Sequence, residues 1–227
     1  MAALTLVVGN KNYSSWSMRP WVLLKQLAIP FEEKKLRFHS NEWNAEIGRW
    51  SPSGLVPVLW RGDQAVWDTL AIMEAVHEWY PDRRIWPREE RARAFARSAA
   101  AEMHSGFRDL RTHMPMNIRA SHPGKGMGPQ VQANIERIES LWGEARRRFG
   151  AGGAFLFGEF SAADAMYAPV VMRFRTYAVA VSPESARYCE TMLAAPGVRA
   201  WIDEALKEKE FVAEDELYAT TPLIPTK

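Results

Sequence analysis

Asn12-Tyr13-Ser14-Ser15-Trp16-Ser17-Met18-Arg19-Pro20-Trp21 decides how the first third of this chain folds. An apolar run, Leu4-Thr5-Leu6-Val7-Val8, precedes it, and Trp21, Leu24 and Leu27 follow at helical spacing. A strand, a hydroxyl-rich turn and a helix in that order put hydroxyls and unpaired backbone N–H groups at a helix N-terminus. Such a place carries partial positive charge and holds anions, a thiolate among them.

Outward from this turn, strand and helix signals alternate. Leu4–Gly9 reads as a buried strand, and Ser17–Ala28 as a helix that Pro30 stops. Phe31–Phe38 alternates like a half-exposed strand, and Asn41–Trp50 is a short helical stretch. Leu55–Trp60 reads as a strand carrying a proline, Arg61–Gln64 as a turn and Ala65–Trp67 as a brief strand. Asp68-Thr69 then opens a helix with Ala71, Ile72, Ala75, Val76 and Trp79 as its apolar stripe. Residues 81–87, between two prolines and rich in charge, read as a linker.

Beyond the linker only helical patterns appear: Arg88–His113, Gln130–Phe149, Ala162–Val179, Glu184–Ala194 and Val198–Lys207, then an irregular strap from Phe211. Strands confined to one third of the chain imply an α/β domain over residues 1–80 and an all-α domain over 88–227.

With 47% hydrophobic and 25% charged residues among 227, the chain can bury a sizeable core. Its net charge of +2 comes from interleaved acids and bases, which argues against a nucleic-acid partner. Arg146-Arg147-Arg148 reads as a solvated helix C-terminus. Cys189 is the only cysteine, so there is no internal disulfide, and no Cys/His spacing suggests a metal. No apolar run approaches the roughly 18 residues of a membrane span, and the N-terminus lacks a signal pattern. A cytoplasmic protein without membrane or metal is the expectation.

Two further stretches bear on chemistry. Pro57, inside an expected strand, is either an edge-strand proline or part of a cis Val56–Pro57 bond that leaves the Val56 N–H and C=O free for an antiparallel peptide ligand. Asp68-Thr69 is either an ordinary helix cap or a recognition pair, in which Thr69 takes a carboxylate and Asp68 an ammonium. Both stretches follow the C-terminal strand ends, where open α/β sheets bind ligands.

In this order the three stretches resemble the glutathione transferase family: a hydroxyl-rich first turn, Val-Pro before the third strand, and an acid-hydroxyl pair before the third helix. Ser14-Ser15-Trp16-Ser17-Met18-Arg19 is similar to the Ser-Ser-Cys-x-x-Arg signature of the zeta class, which includes maleylacetoacetate isomerases, as found in bacterial serine-type members. Phe160-Ser161-Ala162-Ala163-Asp164 resembles the family's capping box, Ser161 as N-cap and Asp164 at N3.

The resemblance implies a thioredoxin-like N-terminal domain, an all-helical C-terminal domain, glutathione as co-substrate and a homodimer. It implies that Ser14 activates the glutathione thiol and Ser15 supports it, with Tyr13 as a rival donor. Ser15, Val56, Pro57, Asp68 and Thr69 would hold the peptide. A free thiol has a pKa of about 8.5, and lowering it by about two units takes roughly 2.7 kcal/mol, within reach of one charge-assisted hydrogen bond plus a helix dipole. The signature's cysteine is Trp16 here, which excludes disulfide chemistry at this turn.

A small electrophile would bind between the turn and the Arg88–His113 helix, where His104, Phe107, Arg108 and Arg111 fall on one helical face. Phe107 would supply an aromatic wall, and Arg108 and Arg111 would bind a carboxylate. Gly106 within that helix suggests close approach by another element or ligand. Arg173 and Arg175 fit either buried pairs or substrate contacts. The competing class is a non-catalytic interaction module on the same scaffold.

Overall fold

The computed structural model describes residues 3–219. Four strands, β1 (Leu4–Val8), β2 (Glu32–Lys35), β3 (Val58–Arg61) and β4 (Gln64–Trp67), form one sheet in the order β2-β1-β3-β4. β2 runs parallel to β1, while β3 and β4 are antiparallel to their neighbours. The central position of β1 explains its unbroken apolar run, since both of its faces are covered. Leu4, Leu6 and Val8 enter the main core, whereas Val7 faces the other way and meets Val58 and Leu36.

Helices α1 (Ser15–Gln26) and α3 (Thr69–Trp79) lie toward the main core, and α2 (Asn41–Trp50) covers the second face through Trp43, Ile47 and Trp50. The helical half follows: α4 (Glu90–Ser105), α5 (Arg108–His113), α6 (Pro129–Phe149), α7 (Ala162–Tyr177), α8 (Pro183–Ala194) and α9 (Pro196–Ala205). This is the expected thioredoxin-like domain followed by a helical one. Its core is continuous between the two halves, and Ile85 and Trp86 of the expected linker are buried in it.

α7 is buried almost all round, as a helix apolar on every face must be. Its start carries the expected capping box: the Asp164 carboxylate accepts from the Ser161 N–H at 2.9 Å. The same carboxylate also accepts from the Leu156 N–H at 3.0 Å and the Tyr188 hydroxyl at 3.1 Å. From residue 211 the strap makes one 3-10 turn, Ala213–Asp215; residues 220–227 lie outside the described residues.

Two local expectations are corrected. The proline-bearing strand begins at Val58, so Pro57 stands before the ladder; β3 pairs on both sides and has no place for a missing donor. The Arg88–His113 helix is broken at Gly106-Phe107. Phe107 is left-handed at φ 54°, and a Cβ on Gly106 would lie 2.7 Å from the Glu102 carbonyl oxygen. The close approach that Gly106 signals is therefore to its own helix. Among the described residues no helix is long and apolar enough to cross a membrane.

Candidate active site

The turn between β1 and α1 borders a cavity of about 650 Å³, walled by Tyr13, Ser14, Ser15 and Trp16 on one side and by Arg108, Arg111 and Arg173 on another. Val212, Glu214 and Asp215 of the C-terminal strap close a third side. A second cavity of about 520 Å³ shares Trp16, Val56 and Arg111 with the first and adds Pro57, Asp68, Thr69 and His104. All but one of the expected site residues thus meet around two adjoining spaces. Phe107 is the exception: the break that gives it a left-handed backbone turns its side chain into the core, so it is no aromatic wall. The same break places His104 on α4 and the two arginines on α5, so these residues do not share one helical face.

The turn is held from the helical half. Glu208 accepts from the backbone N–H groups of Lys11 (2.9 Å) and Asn12 (3.0 Å), and Trp201 Nε1 donates to the Lys11 carbonyl. Asn12 Nδ2 donates to Asn117 Oδ1, and Asn12 Oδ1 accepts from the Arg119 N–H. Lys11 is buried between Glu33 and Glu204 with its ammonium over the Trp21 and Trp201 rings. A buried lysine needs such partners.

α1 begins at Ser15, two residues before the periodicity suggests, which makes Ser14 its N-cap. The Ser14 oxygen accepts from the Ser17 N–H at 3.4 Å, and its hydroxyl donates to Ser17 Oγ at 2.7 Å. Ser15 Oγ, in the first turn, accepts from Arg173 Nη2 at 3.4 Å. Tyr13 is engaged elsewhere: its hydroxyl donates to Glu216, and burial, followed by that carboxylate, pushes its pKa up to about 12.

Trp16, in the place of the signature's cysteine, packs against cations. The Arg19 guanidinium lies 4.3 Å from its ring centroid and that of Arg111 5.5 Å. Arg19 is fully buried, donates to the carbonyls of Met166 and Ser15, and leaves Nη2 without a partner among the described residues. Burial, then the charges of Arg173 and Arg111, holds its pKa well below the usual value. Pro20, inside α1, cannot donate to the Trp16 carbonyl four residues back. Thr69 Oγ1 donates to it instead at 3.3 Å, tying α1 to the start of α3.

The Val56–Pro57 bond is cis, and among the described residues the Val56 N–H and C=O have no backbone partner. Asp68 is the N-cap of α3, accepting from the Leu70 N–H at 2.9 Å, with a positive φ of 72° that is rare outside glycine. Its other oxygen accepts from His104 Nε2 at 2.7 Å. His104 therefore acts on the acid of the second cavity, and its ring meets Trp16 edge-on at 5.1 Å. Arg173 is the residue that the sequence reading named without assigning; burial, then Arg111, lowers its pKa to about 10, so it stays cationic.

A thioredoxin-like sheet with a hydroxyl-bearing helix start, an adjacent cis-proline and a capped third helix stand around one cleft. The comparisons with known proteins agree. Residues 13–79 match the model described as the glutathione S-transferase N-terminal domain, and residues 128–204 match the C-terminal domain of the same family. A probable maleylacetoacetate isomerase from Caenorhabditis elegans is 28% identical over 100 residues, which span 44% of this chain and 46% of that relative. A glutathione transferase homologue from Burkholderia, solved with bound glutathione, superposes with a TM-score of 0.66 at 25% identity, covering 90% of this chain and 98% of its own. A Sulfitobacter homologue, also with bound glutathione, gives 0.65 at 20% identity over 91% of this chain and 100% of its own, and attests the fold. The chain belongs to the glutathione S-transferase family.

Proposed function

We propose that the protein binds glutathione across the two cavities and activates its thiol for attack on a small, anionic electrophile, by conjugation or by addition and elimination in an isomerisation. The single observation that carries this reading is the start of α1: Ser14 and Ser15, at the N-terminus of the helix, line a cleft that Arg108, Arg111 and Arg173 also border.

The unpaired Val56 N–H and C=O would take the ligand's backbone in antiparallel fashion. The α3 N-terminus at Thr69 would take the γ-glutamyl carboxylate, and Asp68, oriented by His104, the ammonium. The sulfur would then lie at the α1 N-terminus. A hydroxyl donating to it, with the helix dipole behind, favours the thiolate over the thiol. Ser14 is committed to its cap, so Ser15 is the better donor, which reverses the order that the motif implies.

Arg108 and Arg111 lack ion-pair partners among the described residues and face the same cavity, which suits a carboxylate on the acceptor. The exposed Trp67 and Leu55 beside the cleft support the homodimer. Calorimetry with glutathione, followed by turnover of Ser15→Ala and Ser14→Ala with an activated aryl halide and with a carboxylate-bearing enone, tests this reading. Binding retained with turnover lost in Ser15→Ala is expected. No binding at millimolar glutathione would sink it and favour the interaction module.

A further inference from the structure

We propose that Arg173 is a positioning residue that makes Ser15, and not Ser14, the hydroxyl turned toward the sulfur. This rests on the thiol-activation reading above. Ser15 and Arg173 stand 158 residues apart and meet only because α1 packs on α7. The Arg173 side chain is buried at the cavity wall. Its Nε donates to the Met114 carbonyl at 2.9 Å and its Nη1 to the Pro169 carbonyl at 3.2 Å. These two carbonyls fix the plane of the group, and Nη2 is left pointing at Ser15 Oγ.

A serine hydroxyl has one proton to give and two lone pairs to offer. Ser14 donates its proton to Ser17 Oγ, and the buried Ser17 Oγ also accepts from the Gly9 N–H at 3.1 Å, so the Ser14 proton is taken up beneath the turn. Ser15 is the reverse case. Arg173 occupies a lone pair, and no acceptor among the described residues takes the Ser15 proton. A cation on the protein side of that oxygen polarises the O–H bond and directs its proton away from the guanidinium, toward the open side of the cleft.

The charge acts as well. Among the described residues Arg173 has no salt bridge, and neither has Arg19 or Arg111 beside it. Three cations without a salt bridge, Arg19 and Arg173 of them buried, raise the local potential at the cavity wall and favour an anion that forms there. Asp215 faces this cluster from the strap; burial raises its pKa to about 6, so at neutral pH it is largely a carboxylate and offsets part of the Arg173 charge.

The test is the titration of the thiol in the binary complex, without any acceptor, followed by thiolate absorbance across pH, with glutathione affinity measured in parallel. In Arg173→Gln the thiol pKa should rise by about one unit, leaving about tenfold less thiolate at neutral pH, while affinity for S-methylglutathione, which has no ionisable thiol, changes little. Arg173→Lys should lie between the two. In the Ser15→Ala background Arg173→Gln should shift the pKa by less than it does in the wild type, because the part of its effect that runs through that hydroxyl is already gone. An unshifted pKa in folded Arg173→Gln overturns the inference. So does a shift in Ser14→Ala without one in Ser15→Ala, a comparison that holds even if Arg173→Gln does not fold. Failure of the wild type to bind S-methylglutathione overturns the underlying reading, and is seen before any variant is made.

Discussion

The hydroxyl of Tyr13 donates to the Glu216 carboxylate at 2.5 Å across 203 residues, while Arg119 Nη2 donates to the same phenol oxygen at 2.8 Å. Tyr13 thus fastens the strap to the turn, and its proton is not available to a ligand. Tyr13→Phe should lower stability by about 1 kcal/mol, the worth of one hydrogen bond to a charged group less the packing that Phe keeps. It should leave the thiol titration of bound glutathione where it was. Thermal melts and thiolate absorbance read the two effects separately; a displaced thiol pKa would return Tyr13 to the list of sulfur donors.

His104 holds Asp68, whose carboxylate also caps α3. Removing the ring frees one oxygen of the acid to rotate, and on the proposed reading away from the ligand's ammonium. His104→Ala should raise KM for glutathione about fivefold, equivalent to about 1 kcal/mol, with kcat largely kept. Steady-state kinetics at fixed acceptor decides, and a fall in kcat with KM unchanged would make His104 a participant in the chemistry.

Asp164 accepts from the Ser161 and Leu156 N–H groups and from the Ser161 and Tyr188 hydroxyls, all buried. Asp164→Ala orphans several donors at once, so it should cost about 3–5 kcal/mol, well beyond the roughly 1 kcal/mol of a surface cap. Ser161→Ala should cost less. Denaturant unfolding of the two variants gives the order directly.

Asp215 has its pKa raised from 3.8 to about 6 by burial, with Arg173 and His39 opposing and Glu214 and Glu216 assisting the shift. A folded pKa above the unfolded one means that the folded state binds the extra proton between those values. The contribution is present below the unfolded pKa and is lost as pH rises through about 6. The wild type should therefore gain on Asp215→Asn when pH falls from 7 to 5, as melting temperatures of the pair at both pH values would record. A constant difference between them would show that Asp215 titrates normally.

Much of this fold could be read from residue patterns because its elements obey local rules: β1 is apolar throughout since it is central, and the Ser161–Asp164 box announces α7. The errors have local causes too. Arg108–His113 continues the helical composition of the preceding residues, so only Gly106 marks a break that the left-handed Phe107 completes. At the site a difference of two residues mattered most. A helix starting at Ser17 leaves both Ser14 and Ser15 free, whereas one starting at Ser15 commits Ser14 to the cap. The partner of Ser15 was beyond reach, since nothing in the spacing of Arg173 says that α7 delivers it to α1. Likewise the His104–Asp68 contact depends on how α4 packs against α3, which periodicity does not carry.

The replacement of the signature cysteine by Trp16 has a chemical consequence for durability. The chain's sole cysteine, Cys189, is away from the cleft, and burial pushes its thiol up to about 12. At neutral pH it is thiol, not thiolate, and so a poor nucleophile. Among the described residues a reactive acceptor entering the cleft meets no protein thiol; Met116 on its wall offers only a thioether. On the proposed reading the cleft therefore resists alkylation and mixed disulfides at cysteine, and the bound peptide thiol is the group that reacts.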